Sequence, residues 1–222
     1  MKRFAQLVMT FGVLAAGLTG TAYAQSAADE SPFAVQFTVG PTFGNASDVS
    51  LGGELDYRFA TEWELFFEAG RMRNVATEAM EDAAQIIVNA LGGSASVAQH
   101  ANYFNVGVKY LLVPFGGGYQ PYVGLGFGVG QLKKDVKFTI GGSELSEDEL
   151  LNQYGVLLGN DLAGTSNRPM LLVIGGVSRD FAGNAFVDLS YRYGAIFSNT
   201  DLIEDDTLTN TQRLQLGIGI RF

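Results

Sequence analysis

Apolar and polar residues alternate with a period of two along most of this chain. In T-Q-R-L-Q-L-G-I-G-I-R-F at 211–222, Leu214, Leu216, Ile218, Ile220 and Phe222 alternate with Arg213, Gln215, Gly217, Gly219 and Arg221. Successive side chains of a strand point to opposite faces, so this pattern is a strand with one apolar and one polar face. The same alternation predicts seven more strands, at 33–43, 49–59, 63–72, 103–113, 121–132, 169–179 and 185–196. The sixth is the least regular, because M-L-L-V-I at 170–174 is apolar on both faces.

Two of the connections carry a helical rather than a strand period. After Thr77, which can cap, Met80, Ala84, Ile87 and Leu91 share one helical face, and Gly92 can end the helix. Ser146 and Glu149 form a capping box ahead of Leu150, Leu151, Tyr154, Leu157 and Leu158. These helices are expected either to form a recognition cap or to pack together and plug whatever lies beneath them.

The strands average about 10 residues, the length at which a tilted strand crosses a bilayer. Their connections alternate in length. Those at 60–62, 114–120 and 180–184 are short, whereas those at 73–102, 133–168 and 197–210 are longer; 44–48 is a short member of the second set. In lipid every backbone N–H and C=O needs a partner, and an open sheet leaves edges unpaired. The expected fold is therefore all-β: an eight-stranded antiparallel up-and-down transmembrane β-barrel, with short helices in outer loops two and three. Its apolar faces meet lipid and its polar faces fill an interior with room for side chains only. That interior set is Glu54, Asp56, Glu64, Glu68 and Asp188 against Arg58, Lys109, Arg192, Arg213 and Arg221. Unpaired charges in so narrow a space would be costly, which predicts a paired internal network.

Composition narrows the setting. Lys2 and Arg3 precede a short apolar run, 4–18, and Ala22-Tyr23-Ala24 reads as a signal-peptidase site. The expected division is a signal peptide at 1–24, a polar lead-in at 25–32 and a barrel at 33–222. Losing Lys2 and Arg3 with the leader would move the formal charge from −9 to −11, which argues against nucleic acid as a partner. There is no Cys, so no disulfide framework and no Cys-based metal site is expected. The 29 glycines and 12 % aromatics suit a barrel better than a helical bundle. No cofactor is expected.

The alternation, together with P-Y-V-G-L-G-F-G-V-G at 121–130, V-D-L-S-Y-R-Y at 187–193 and the closing R-L-Q-L-G-I-G-I-R-F, resembles the OmpA/OmpX-like outer-membrane β-barrel superfamily over residues 33–222. The resemblance implies a protein of the Gram-negative outer membrane. It also implies that Leu214, Leu216, Ile218, Ile220 and the terminal Phe222 are read by the outer-membrane assembly machinery. No periplasmic domain is expected after Phe222, and so neither is the peptidoglycan-binding half of larger members. A monomer surrounded by outer-membrane lipid and lipopolysaccharide is expected. A soluble periplasmic barrel is disfavoured by the outward aromatic and aliphatic faces.

Three further features bear on function. Arg71, Arg73, Lys133, Lys134, Lys137 and Arg168 fall near the outer strand ends, where they could pair with lipopolysaccharide phosphates. Acidic clusters at 144–149 and 201–206 could share divalent cations, but they lack calcium-loop spacing, so no metal site is expected. The Tyr191–Tyr193 segment followed by Ser198-Asn199 is similar to the motif of the lipid A deacylases, in which a His two positions before Ser activates it. Here that position is Ile196, and the single histidine, His100, would have to reach across from another loop. A Ser without a positioned base is a poor nucleophile, so no catalytic residue is expected. The expectation is a non-enzymatic envelope or surface-binding protein. A passive pore is the alternative, supported by inward glycines at 124–130, and a lipid A-modifying enzyme is the less favoured third.

Overall fold

A computed structural model describes residues 32–44, 46–145, 147–156, 158, 162–197 and 208–222. The expected signal peptide and most of the polar lead-in lie outside the described residues. Eight long strands close into a ring: β1 (Phe33–Phe43), β2 (Asp48–Ala60), β3 (Trp63–Met72), β4 (Gly93–Leu111), β5 (Tyr119–Ile140), β7 (Gly164–Ala182), β8 (Ala185–Phe197) and β9 (Leu208–Arg221). A three-residue strand, β6 (Ser143–Leu145), adds to the outer end of β5. All neighbours are antiparallel, and β1 seals the ring against β9 from Ala34↔Arg221 to Phe43↔Gln212. The order is up-and-down, with each long strand beside the next in sequence.

Pro41 lies two residues before the end of β1. It stays paired with Val49 of β2, but the ladder to β9 lapses at Gly40 and Pro41 and resumes at Thr42↔Arg213. Pro has no N–H to give the ladder, and this lapse is where the sheet absorbs it.

The strand lengths correct the expectation of a uniform set. β1 and β3 have 11 and 10 residues, but β4, β5 and β7 have 19, 22 and 19. The extra residues of β4 and β5 are paired from Gly93↔Ile140 to Ala101↔Leu132, so much of what reads as loops two and three is a projecting two-stranded arm. About ten residues of strand beyond the bilayer span roughly 30 Å along the chain.

The apolar face changes sides where the arm begins. On β5, Val123, Leu125, Phe127 and Val129 point outward, opposite glycines. Beyond Gln131 the outward residues are Lys133, Asp135 and Lys137, and the inward ones include Leu132, Val136 and Phe138. β4 changes in register, from outward Val108, Val106 and Phe104 to outward Asn102, His100 and Ala98. A barrel wall in lipid is apolar outside, whereas a sheet in water buries its apolar face. The switch therefore marks the outer edge of the membrane.

Helix α1 (Glu78–Leu91) starts at Thr77, whose hydroxyl accepts from the Met80 N–H at 3.3 Å, and ends at Gly92 in a positive-φ conformation. Helix α2 (Glu147–Tyr154) follows β6. Both pack on the inner face of the arm, where Ala84, Val88, Phe138, Leu150, Leu158 and Leu162 form one apolar cluster.

Candidate functional site

The barrel interior is built in three layers. Nearest the short turns, the Arg58 guanidinium is 2.9 Å from the Glu64 carboxylate, and Arg221 lies 3.9 Å from the same carboxylate and 3.1 Å from Asp180. These charges form a group separate from the deeper ones.

The second layer is the deep charge network. Glu54 sits at its centre: one carboxylate oxygen is 2.5 Å from Lys109 Nζ and the other 2.6 Å from Arg192 Nη1. Gln36 donates a further hydrogen bond to Glu54. Lys109 also reaches Asp56 at 2.7 Å, and Glu68 bridges Arg192 at 2.9 Å and Arg213 at 2.8 Å. Asn105 donates to the second Glu68 oxygen at 3.1 Å. Asp188 makes no ion pair among the described residues; it accepts from Tyr122 at 2.7 Å. The residues come from β1, β2, β3, β4, β5, β8 and β9, so the network ties nearly the whole wall together. Removing one partner of a buried pair strands the other charge, and that makes such a network hard to open.

Apolar side chains share the interior with these charges and with buried polar residues such as Thr38, Ser50, Ser190, Thr211 and Gln215, where polar side chains alone were expected. Phe66, Leu111, Tyr122, Leu172 and Ile174 fill the space beside Lys109. Met72, Val75, Ala101, Tyr103, Leu132, Met170 and Ile196 form the third layer, above the charges. β7 is apolar on both faces because Met170, Leu172 and Ile174 pack inward while Leu171 and Val173 face lipid. The glycines of β5, expected to leave space on one wall, are covered by side chains of β3 and β8, each one strand removed from β5. A Cβ added at Gly126 would stand 2.7 Å from the Phe66 ring, and one at Gly130 2.9 Å from Ile196. A cavity of about 10 Å3 lies near the short-turn end, among Gln36, Asp56, Lys109, Tyr122, Asp188 and Arg221. That is room for about one water molecule.

Above the third layer the arm and both helices make a head. Ile86 of α1 and Leu151 and Tyr154 of α2 are exposed on it, as are Glu81, Asp82 and Asp148. A groove of about 470 Å3 runs along it, lined by Lys134, Lys137, Glu144, Glu149, Leu158 and Ala163 among others.

Other expected site residues divide. Arg71, Arg73 and Lys133 are exposed at the outer edge, while Lys134 and Arg168 stand on the inward side of their strands. Lys137 is held by Glu144 at 2.7 Å. His100 Nδ1 is bonded to the Arg73 carbonyl, and Ile196 is buried in the third layer. Ser198 and the acidic stretch 201–206 lie outside the described residues. Among the described residues no group of three or more His, Asp or Glu side chains is arranged to hold a metal ion. Leu214, Leu216, Ile218 and Ile220 face outward, and Phe222 stacks on Phe33 with ring centroids 6.1 Å apart. Sequence reasoning missed Tyr103 and Tyr122, which lie under Arg213 at 4.2 Å and Lys109 at 4.9 Å. Their place on the inward face of strands was the available signal.

A family model for the outer membrane protein beta-barrel domain matches residues 11–222. The chain belongs to this family. Its setting is therefore the outer membrane. The Neisserial surface protein A structure superposes with a TM-score of 0.55 at 16 % identity, over 87 % of this chain and 99 % of that one. A major outer membrane protein from Thermus thermophilus gives 0.54 at 12 %, over 86 % and 99 %. The outer membrane enzyme PagL matches at 0.43 and 18 %, over 85 % and 99 %. At these identities the likeness to the first two is one of fold alone, and the third score is too low to carry an argument. The comparison with curated proteins gives no match.

Proposed function

We propose that this outer-membrane β-barrel is a non-enzymatic surface protein. Its sealed barrel is a rigid base, and its head binds a partner outside the cell. The observation that carries this reading is the projecting β4–β5 arm with its own apolar core under α1 and α2. A chain that only needed to span the membrane would gain nothing from ordering about twenty further strand residues and two helices, each residue at a cost of roughly 1–2 kcal/mol of backbone entropy. Rigid scaffolds that hold ordered surface elements are where binding function concentrates.

The pore reading has lost its main support, since the glycine wall faces Phe66, Asn105 and Ile196 rather than open space. The lipid A-modifying reading needs a base beside Ser198. Ile196 is buried, and His100 is engaged with the Arg73 carbonyl.

The test is a variant with 74–99 and 133–164 replaced by short turns, compared with the parent in cells that otherwise lack the protein. Adhesion to surfaces should be lost while heat-modifiable barrel folding is retained. Unchanged adhesion from a folded, head-less barrel contradicts the proposal. Loss of detergent resistance in cells lacking the protein, restored fully by the head-less barrel, would instead make it a structural envelope component.

A further inference from the structure

The basic side chains of this acidic protein are unevenly committed. Acidic partners hold Arg58, Lys109, Lys137, Arg192, Arg213 and Arg221. Lys134 and Arg168 are engaged as well, and Arg179 lies at the periplasmic end over the Tyr119 ring at 4.7 Å. Among the described residues, Arg71, Arg73 and Lys133 make no ion pair. All three belong to one wall, with Lys133 one row further out than Arg71, and Arg73 just past the end of β3.

Their placement follows from the register. Arg71 of β3 pairs with Asn102 of β4, which pairs with Gln131 of β5, which pairs with Asn167 of β7. The amides form an outward ladder: Asn102 donates to Gln131 and Gln131 to Asn167, each at 3.2 Å. One step further out, His100 pairs with Lys133, and the His100 ring is bonded to the carbonyl of Arg73. Two strand spacings of about 4.8 Å and one row along the strands separate Arg71 of β3 from Lys133, a gap that long side chains can close around one anion. Asp135 stands one pair further out on the same face, toward Lys137.

This patch sits at the level where the apolar face changes sides, directly above Phe104, Val106, Phe127 and Val129, which face lipid. We propose that Arg71, Arg73 and Lys133 bind the phosphate of a phosphorylated glycolipid in the outer leaflet. Its acyl chains lie along the β4–β5 wall, and its sugar hydroxyls meet the Asn102–Gln131–Asn167 ladder. A lipid is selected over a free anion because the cations border the apolar wall, where only an anchored headgroup is held. The rest of the surface, with its excess of acids, would repel it. Of the six basic residues that the sequence places near the outer rim, the structure selects these three.

The experiment uses the full mature chain refolded into phosphatidylcholine vesicles carrying lipid A, or lipid A stripped of phosphate by phosphatase. The quantity read is the urea midpoint of unfolding. The parent's midpoint should be higher with phosphorylated lipid A. The shift should vanish in R71Q/R73Q/K133Q and persist in K134Q/R168Q. Equal midpoints for the parent in the two vesicles would overturn the proposal, and this arm needs no variant. It would also be overturned if the triple variant kept the full shift, or if inorganic phosphate added to pure phosphatidylcholine vesicles reproduced it.

Discussion

Glu54 is the residue on which the interior turns. It is fully enclosed and meets Lys109, Arg192 and Gln36 at once. Glu54→Gln keeps the shape but leaves two cations short of an anion. The expected cost is about 3 kcal/mol, in the range for breaking a buried pair, read as a fall in the urea midpoint in lipid vesicles. A change under about 0.5 kcal/mol, the size of an ordinary surface substitution, would mean that the network is not structural. Gly126 makes a second case. A side chain there collides with Phe66, so Gly126→Val should destabilise by roughly 1–3 kcal/mol through overpacking. Adding Phe66→Ala should recover part of that loss. Strict additivity of the two changes would show that they do not share space.

At the scale of the element, the strands that cross the bilayer were legible because lipid outside and a packed interior impose strict alternation. β3 runs from Trp63 to Met72, as the pattern alone predicts. The arm was not legible as strand. S-A-S-V-A-Q-H-A at 94–101 is small and polar, and its apolar side is the opposite one, so the lipid-facing pattern stops at Asn102 although the hydrogen-bond ladder continues. The acids and bases of the interior could be picked out by parity, but not their partners. Pairs such as Glu68 with Arg213 are far apart in sequence and are set by barrel closure. Helix α1 was visible from its cap and period, and the cap can be tested. Thr77→Ala removes the hydroxyl that holds the Met80 N–H and should cost α1 about 1 kcal/mol. Hydrogen exchange should speed up in 78–91 and remain unchanged in β1 and β9. Uniform change across the barrel would contradict an independently ordered head.

For the whole molecule, the three interior layers and the head divide the work. Charges bind the strands to one another, apolar side chains beside and above them exclude water, and in the proposed function the head meets the outside. The measurement that tests this most directly is the conductance of the refolded barrel, residues 25–222, in a planar bilayer. Protein shown to be folded and inserted should be electrically silent. A steady, reproducible conductance would mean that the layers do not seal the barrel, and would contradict the account of a closed base carrying a binding head.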